Sequence, residues 1–266
     1  MNSEEFKEIV WDKGRELYRP MPWREDTRPY YVLVSEIMLQ QTQVERVIPK
    51  FEAFIQEFPD VQTLAAAPLS AVLTAWSGLG YNRRAKFLHE AAKKVVSDFD
   101  GVFPNTQKEM ITLPGVGVNT AGALLAYSFN APVTFIETNV RTVYFYHFFS
   151  DQEEVADKEL WPLVEATVDT EHPREWYWAL MDYGSYLKRN GVRLNSKSRH
   201  YKKQSPLKGS VREVRGQLLK LLADGAMPYQ ALNDQFVDDP RFSIAYKGLL
   251  KDGLIECTGQ EVRLRR

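Results

Sequence analysis

Residues 113–125 read LPGVGVNTAGALL, and this stretch constrains the chain more than any other. Pro114, Gly115 and Gly117 interrupt two helical patterns, TQKEMITL before and NTAGALLAYSF after. Both flanks place apolar residues at the spacing of a helix face. Helix formation is broken hard and restarted at once. A helix, a Gly-Val-Gly turn and a second helix can present backbone N–H groups outward. The glycines permit close approach and positive φ, and the second helix adds the partial positive charge of its N-terminus. Gly115, Val116, Gly117, Asn119 and Thr120 would then cradle a DNA phosphate. An ordinary turn between two packed helices is the competing reading of GVG alone.

The rest of the chain repeats the helical theme. SEEFKEIVWDKGREL, with Ser3 as its cap, PYYVLVSEIMLQQ, QVERVIPKFEAFIQEF, PLSAVLTAW, RRAKFLHEAAKKVVSDF, NVRTVYFYHFF and REWYWALMDYGSYL all carry apolar residues three and four apart. Connections such as GLGYN and FPNT are short and built from Gly, Pro and Asn. No run of alternating residues reads as strand before residue 254. With 44% hydrophobic residues in 266, the chain can bury a substantial core. No stretch approaches the ~18 apolar residues of a membrane span. The acidic start, MNSEEFKEIV, lacks the basic and apolar blocks of a secretory signal. Cys257 is the only cysteine, so neither an intrachain disulfide nor a cysteine metal cluster can form. These features predict a cytoplasmic protein without a membrane partner, nucleoid-associated if bacterial, and a monomer.

The formal charge of −1 conceals an asymmetry. From Lys188 to Lys220 there are eleven Lys or Arg and one acid, Glu213, giving +10 there and −11 elsewhere. A solvated linker is one reading of such a run; a surface that tracks phosphates is the sharper one. Apolar periodicity fades near residue 190, and a small unit follows. VREVRGQLLKLLADG, MPYQALNDQF and PRFSIAYKGLLKDG read as three helices, and LIECTGQEVRLRR as a hairpin about Thr258-Gly259. Three helices and a hairpin resemble a winged-helix module. Its third helix, about Pro240 to Asp252, would read a DNA groove or, as in many such modules, bind protein.

With these elements in place, a family resemblance is plain. LPGVGVNTAGALL resembles the helix-hairpin-helix of base-excision DNA glycosylases. PWREDTRPYYVLVSEIMLQQTQVERVIPKFEAFIQEFP, LTAWSGLGYNRRAKFLHEAAKKV and FIETNVRTV are similar to successive segments of the MutY-type adenine DNA glycosylases. The resemblance covers about residues 5–187, and SEIMLQQTQV is its most specific motif. It implies an all-α, two-lobed helix-hairpin-helix glycosylase fold with a DNA-facing cleft. The small C-terminal winged-helix-like α+β module would be appended to it. The domains expected are 1–187 for the glycosylase, 188–208 for a basic linker and 209–266 for the module. The substrate implied is double-stranded DNA carrying a mispaired adenine, opposite 8-oxoguanine or guanine.

Hydrolysis of an N-glycosidic bond leaves positive charge on the sugar and negative charge on the departing base. One acid must protonate the base and one carboxylate must face the cationic sugar, after the base has left the stack. Glu36 lies within YVLVSEIML, where an apolar helix would raise its pKa; otherwise it is an exposed helix glutamate. The resemblance gives it the acid's role and gives Glu137 the second carboxylate, ionised. The family has Asp at the position of Glu137. The added methylene matters because a shift of about 1 Å can cost a hundredfold in rate. A tolerated variant, a changed geometry and a weakened catalyst are the three readings, and the intact TNVRTV favours retained activity.

The same resemblance places Trp23, Arg24, Asn119 and Asp182 at the base pocket. Gln41, Thr42 and Tyr81 would probe the opposing base as a wedge. Bifunctional relatives carry a lysine at the position of Asn119 to form a Schiff base, so asparagine implies a monofunctional enzyme. Most of the family also holds a [4Fe–4S] cluster on four cysteines. Their spacing projects onto Lys188, Asn195, Ser198 and Gln204, which are not thiolate ligands, so no cofactor is expected. The residues after Pro206 are too few for the family's Nudix-like domain, which leaves recognition of 8-oxoguanine open. A same-fold glycosylase for another base and a non-catalytic DNA-binding protein are the alternatives.

Overall fold

The computed structural model describes residues 1–198 and 206–266. The helices follow from the apolar spacing: α1 (Ser3–Leu17), α2 (Pro22–Glu25), α3 (Pro29–Leu39), α4 (Val44–Glu57), α5 (Val61–Ala66), α6 (Leu69–Ala75) and α7 (Arg83–Asp98) come first. Then come α8 (Gln107–Met110), α9 (Val118–Phe129), α10 (Thr138–Phe148), α11 (Asp157–Thr167) and α12 (Pro173–Arg189). The C-terminal part adds α13 (Val211–Ala223), β1 (Met227–Pro228), α14 (Tyr229–Asp234), α15 (Arg241–Asp252), β2 (Ile255–Thr258) and β3 (Glu261–Leu264). No helix among the described residues is long and apolar enough to cross a membrane.

Several local expectations shift. Asn2, not Ser3, caps α1: its side chain accepts from Glu5 N at 2.9 Å, and Ser3 becomes the first helical residue. Asparagine is as good a cap as serine, and one residue earlier it satisfies the donor first. TQKEMITL yields only the short α8, capped by Thr106, before the chain turns. The C-terminal sheet has a third strand that alternation could not announce. Met227 and Pro228 pair with Val262 and Glu261, so the antiparallel order is β1-β3-β2. Two residues are too short to show a period.

The described residues group into two units. The first takes residues 1–32, 105–112 and 116–198. Its core centres on Phe6, fully buried, with ring centroids 4.8 Å from Tyr144 and 5.0 Å from Phe148. α12 packs against α1 and α10. Gly184 makes the second contact close, since a Cβ there would collide with the Asn139 carbonyl. The first part of the basic segment is anchored to the same unit. Val155 N donates to Lys197 O at 2.9 Å, and Lys197 Nζ reaches the carbonyls of Phe149 and Ser150, just beyond α10. Gln204 and the middle of the basic segment lie outside the described residues.

The second unit takes 33–104, 113–115 and 206–266. α5, α6 and α7 pack together around fully buried Trp76 and Leu88, and α13 and β3 lie against α6. The C-terminal module therefore shares its unit with the helices around Tyr81.

Candidate functional site

In the second unit, α3 carries Glu36. Its neighbours Leu33, Val34, Ser35, Ile37 and Met38 are all at most 1% exposed, while Glu36 itself is half-buried. An apolar helix packed on nearly every side thus offers one carboxyl at a partly open position. α3 ends at Leu39, and the chain turns through Gln40 to Gln43. Gln41 is exposed with φ of 57°, and Thr42 N donates to Leu39 O at 3.1 Å. The loop before α7 bends the same way: Gly78, Gly80 and Tyr81 have φ of 92°, 74° and 48°. A tyrosine in this left-handed region is an uncommon conformation that surrounding contacts must hold.

What holds both turns is Arg84, which sequence reasoning passed over. Its Nη1 donates to the carbonyls of Ile37, Met38 and Gln40 at 2.9, 2.8 and 2.6 Å. Its Nη2 donates to Leu79 O, Gly80 O and Thr42 Oγ1 at 3.3, 3.0 and 3.2 Å. One guanidinium therefore fastens the end of the Glu36 helix, the Gln41-Thr42 turn and the Tyr81 loop. Burial pushes its pKa down to about 10, still far above neutrality. The sequence held one signal: two arginines open α7, where the helix dipole disfavours positive charge.

The hairpin glycines divide their work. Gly115 has φ of 80°, and a Cβ there would lie 2.9 Å from Phe87 Cβ, so this position needs glycine for both conformation and space. Gly117, in the first unit, is extended and precedes α9; a Cβ would meet nothing within 4 Å. Neither packing nor φ calls for glycine here, so the positive φ expected of the hairpin glycines holds for Gly115 and not for Gly117. Val116 is buried, Thr120 half-buried and Asn119 exposed.

Asn119 has a definite task inside the first unit. Its Nδ2 donates to Ile136 O at 2.9 Å, and its Oδ1 accepts from Ile136 N at 3.3 Å. The side-chain amide thereby fixes the peptide next to Glu137. Glu137 is the N-cap residue of α10 but makes no side-chain cap hydrogen bond. Burial raises its carboxyl above the usual carboxylate range, and the Arg141 charge works against that rise. No N–H group at the start of α10 is capped by this side chain. Arg141 is in turn gripped by Asp157 through two bonds of 3.0 and 2.8 Å.

Asp182 is not the surface acid that a helix position could have made it. It is 1% exposed, with Oδ1 at 2.7 Å from Arg19 Nε and Oδ2 at 2.7 Å from Arg24 Nη1. Arg24 also lies over the rings of Tyr18 and Trp178, at 5.4 and 5.3 Å from their centroids. Trp23 is buried beside it in α2. Trp23, Arg24, Asn119, Glu137 and Asp182 thus belong to the first unit, and Glu36, Gln41, Thr42, Tyr81 and Gly115 to the second.

Among the described residues no group of His, Cys, Asp or Glu is arranged to hold a metal ion, and Cys257 is exposed on β2. The basic run is also less available than its charge suggests. Lys197, Arg212 and Arg215 each spend hydrogen bonds on protein groups.

Comparison with known proteins bears on the whole arrangement. The "Adenine DNA glycosylase" of Mycolicibacterium smegmatis is 36% identical over 261 residues, covering 90% of this chain and 89% of that protein. The protein of the same name from Buchnera aphidicola subsp. Baizongia pistaciae is 39% identical over 170 residues, 64% of this chain. The chain spans 48% of that relative's length, about half. Among solved structures, a thermostable thymine-DNA glycosylase matches with a TM-score of 0.62 and 26% identity, covering 69% of this chain and 86% of that one. An endonuclease III–DNA complex, at 17% identity and a TM-score of 0.57, shares the fold. The sequence profile described as "HhH-GPD superfamily base excision DNA repair protein" matches residues 34–166, half of the chain, and the chain belongs to that superfamily.

Proposed function

We propose that this protein is a monofunctional adenine DNA glycosylase of base-excision repair, acting on double-stranded DNA in which adenine is mispaired with 8-oxoguanine or guanine. The observation that carries the reading is the near full-length match to the M. smegmatis adenine DNA glycosylase. Glu36, the one carboxyl of α3 and half-buried among its apolar neighbours, supports it.

In this reading Glu36 gives its proton to a ring nitrogen of the flipped adenine as the C1′–N bond breaks. Glu137, ionised, stabilises the cationic sugar. Water then adds to C1′ and loses its proton to Glu36, which restores the acid. Asn119 fixes the main chain beside Glu137 and has no amine to trap the sugar, so this position forms no Schiff base and strong lyase activity is not expected. Trp23, Arg24 and Asp182 shape the base pocket from behind. Gln41, Thr42 and Tyr81 probe the opposing base. Gly117 and the start of α9 receive a phosphate. Residues 1–187 form the glycosylase proper, 188–208 a basic strap and 209–266 the winged-helix-like module. One thiol cannot supply the four ligands of a [4Fe–4S] cluster, so the chain does not fit that cofactor.

A second reading, excision of a mismatched thymine, is favoured by the likeness to the thymine-DNA glycosylase. Duplexes containing A:8-oxoG, A:G, T:G or uracil, treated with the protein and then alkali, separate the readings. Breaks at adenine are expected, and Glu36→Gln should abolish them while leaving DNA binding nearly intact. Breaks at thymine alone would establish the second reading. Binding to mismatched duplexes with no breaks at any base would leave only a non-catalytic DNA-binding protein.

A further inference from the structure

We propose that Arg212, on the C-terminal module, is a positioning residue that sets Tyr81 as the probe of the opposing base. The inference rests on the glycosylase reading above and deepens it. Tyr81 is half-exposed at the end of a loop whose last four residues include three positive φ angles. Two guanidiniums lie over its ring, Arg84 at 5.6 Å and Arg212 at 5.1 Å from the centroid. Arg212 Nη1 also donates a hydrogen bond to the Tyr81 hydroxyl. A tyrosine that only filled space would need neither contact. Here its ring plane and its tip are both fixed before any ligand arrives, which reduces the ordering cost of inserting it between bases.

Arg212 can do this because its module is fastened elsewhere. Arg215, one turn further along α13, places Nη2 2.5 Å from Asp252 Oδ2. Asp252 closes α15; its carbonyl accepts from Lys86 Nζ at 2.8 Å, and its other oxygen lies 3.6 Å from Arg83 Nε. Arg83 and Lys86 stand in the first turn of α7, directly after Tyr81 and Asn82. The Arg215 guanidinium lies over the bare backbone of Gly248, where a Cβ would come within 2.6 Å of Nη1. Docking through Asp252 and contact through Arg212 are therefore separate. The first holds the module on the start of α7; the second reaches the aromatic side chain. The module thus acts on discrimination among opposing bases through a side chain, without itself needing to touch the base.

The test compares single-turnover adenine release opposite 8-oxoguanine, guanine and cytosine in the wild type, Arg212→Ala and Arg212→Lys. It also measures binding to uncleavable duplexes with a tetrahydrofuran abasic site opposite the same three bases. Arg212→Ala should lower the preference for 8-oxoguanine over cytosine by about tenfold, equivalent to about 1.4 kcal/mol, with the loss in binding rather than in the maximal release rate. Arg212→Lys should recover part of it, since ammonium can reach the hydroxyl and still attract the ring. In a Tyr81→Ala background, Arg212→Ala should change the preference no further. 2-Aminopurine beside the opposing base should brighten less with Arg212→Ala than with wild type, reporting weaker wedging. An equal loss for all three opposing bases, an unchanged preference, or the same loss without Tyr81 would overturn the proposal. If the wild type releases no base, the enzymatic reading fails by itself, and the tetrahydrofuran duplexes still decide whether Arg212 sets selectivity through Tyr81.

Discussion

Arg24 and Arg84 are equally buried, each 7% exposed, and they stand in different units. Arg24 meets a full opposite charge in Asp182, itself 1% exposed and shared with Arg19. Arg84 is met by carbonyl and hydroxyl oxygens, three from the end of α3 and its turn at 2.6–2.9 Å and others from the Tyr81 loop. Its Nε has no hydrogen-bond partner among the described residues. The first arrangement concentrates the compensation in one residue and ties α12 to α2 and to the chain just before it. The second disperses it over five peptide groups and ties two tight turns together. A concentrated ion pair fails when one partner is removed, because the other charge stays buried. A dispersed clamp fails locally, because each freed carbonyl can turn toward water.

The largest effect expected from this contrast belongs to Asp182→Asn. The amide keeps the shape but removes the charge, leaving Arg24 and part of Arg19 uncompensated. Breaking one side of a buried pair costs about 3–5 kcal/mol. Urea unfolding should show that loss as a lower midpoint with an unchanged slope. A loss below about 1 kcal/mol, the range of a surface pair, would show that Arg24 does not depend on Asp182.

Arg84→Met should cost less globally, roughly 1–3 kcal/mol, comparable to one buried polar group left unsatisfied. Its main effect should be local. Amide exchange should accelerate in residues 39–43 and 78–82 and remain slow in α12, whereas Asp182→Asn should act first in the opposite unit. Uniform acceleration throughout both units would erase the distinction between clamp and ion pair.

This contrast also marks how far the sequence could be read. Long periodic helices such as α1, α4, α7 and α12 were legible because each has one apolar face to bury. α2 and α5 were not, having four and six residues and thus no room for a period. α11 hid behind Pro162 and its acidic first turn. Glu36 and Glu137 were singled out from motifs. Arg84 was not, because its partners lie up to 47 residues away and are carbonyls, which every residue possesses. Asp182 was singled out, but its pairing with Arg19 and Arg24 spans 163 and 158 residues and is settled only by folding. Arg212 was read as one more charge of a basic run, whereas its neighbour in space is a tyrosine 131 positions earlier.

Arg141 is a third case, between these two, and gives the smallest effect. Like Arg24 it has a carboxylate partner, Asp157, and its charge also acts on a carboxyl with which its guanidinium makes no hydrogen bond. That group is Glu137, one helical turn before it, whose carboxyl is raised by burial and lowered by the Arg141 charge. If Glu137 must be ionised to face the sugar cation, the rate falls at acid pH as it takes up a proton. Arg141→Gln removes the favourable charge, so the neutral form of Glu137 gains and the acid limb of single-turnover release moves to higher pH. The deficit should be greatest at acid pH and vanish at alkaline pH, where Glu137 is ionised in both proteins. Asp157→Asn works in the other direction: Arg141 loses its neutralising partner, its field at Glu137 grows, and the limb should move to lower pH. Opposite movements would assign the limb to Glu137 and show Arg141 acting through charge. Movement in the same direction would mean that both variants act by disturbing the helix, and no movement would take Glu137's ionisation out of the acid limb.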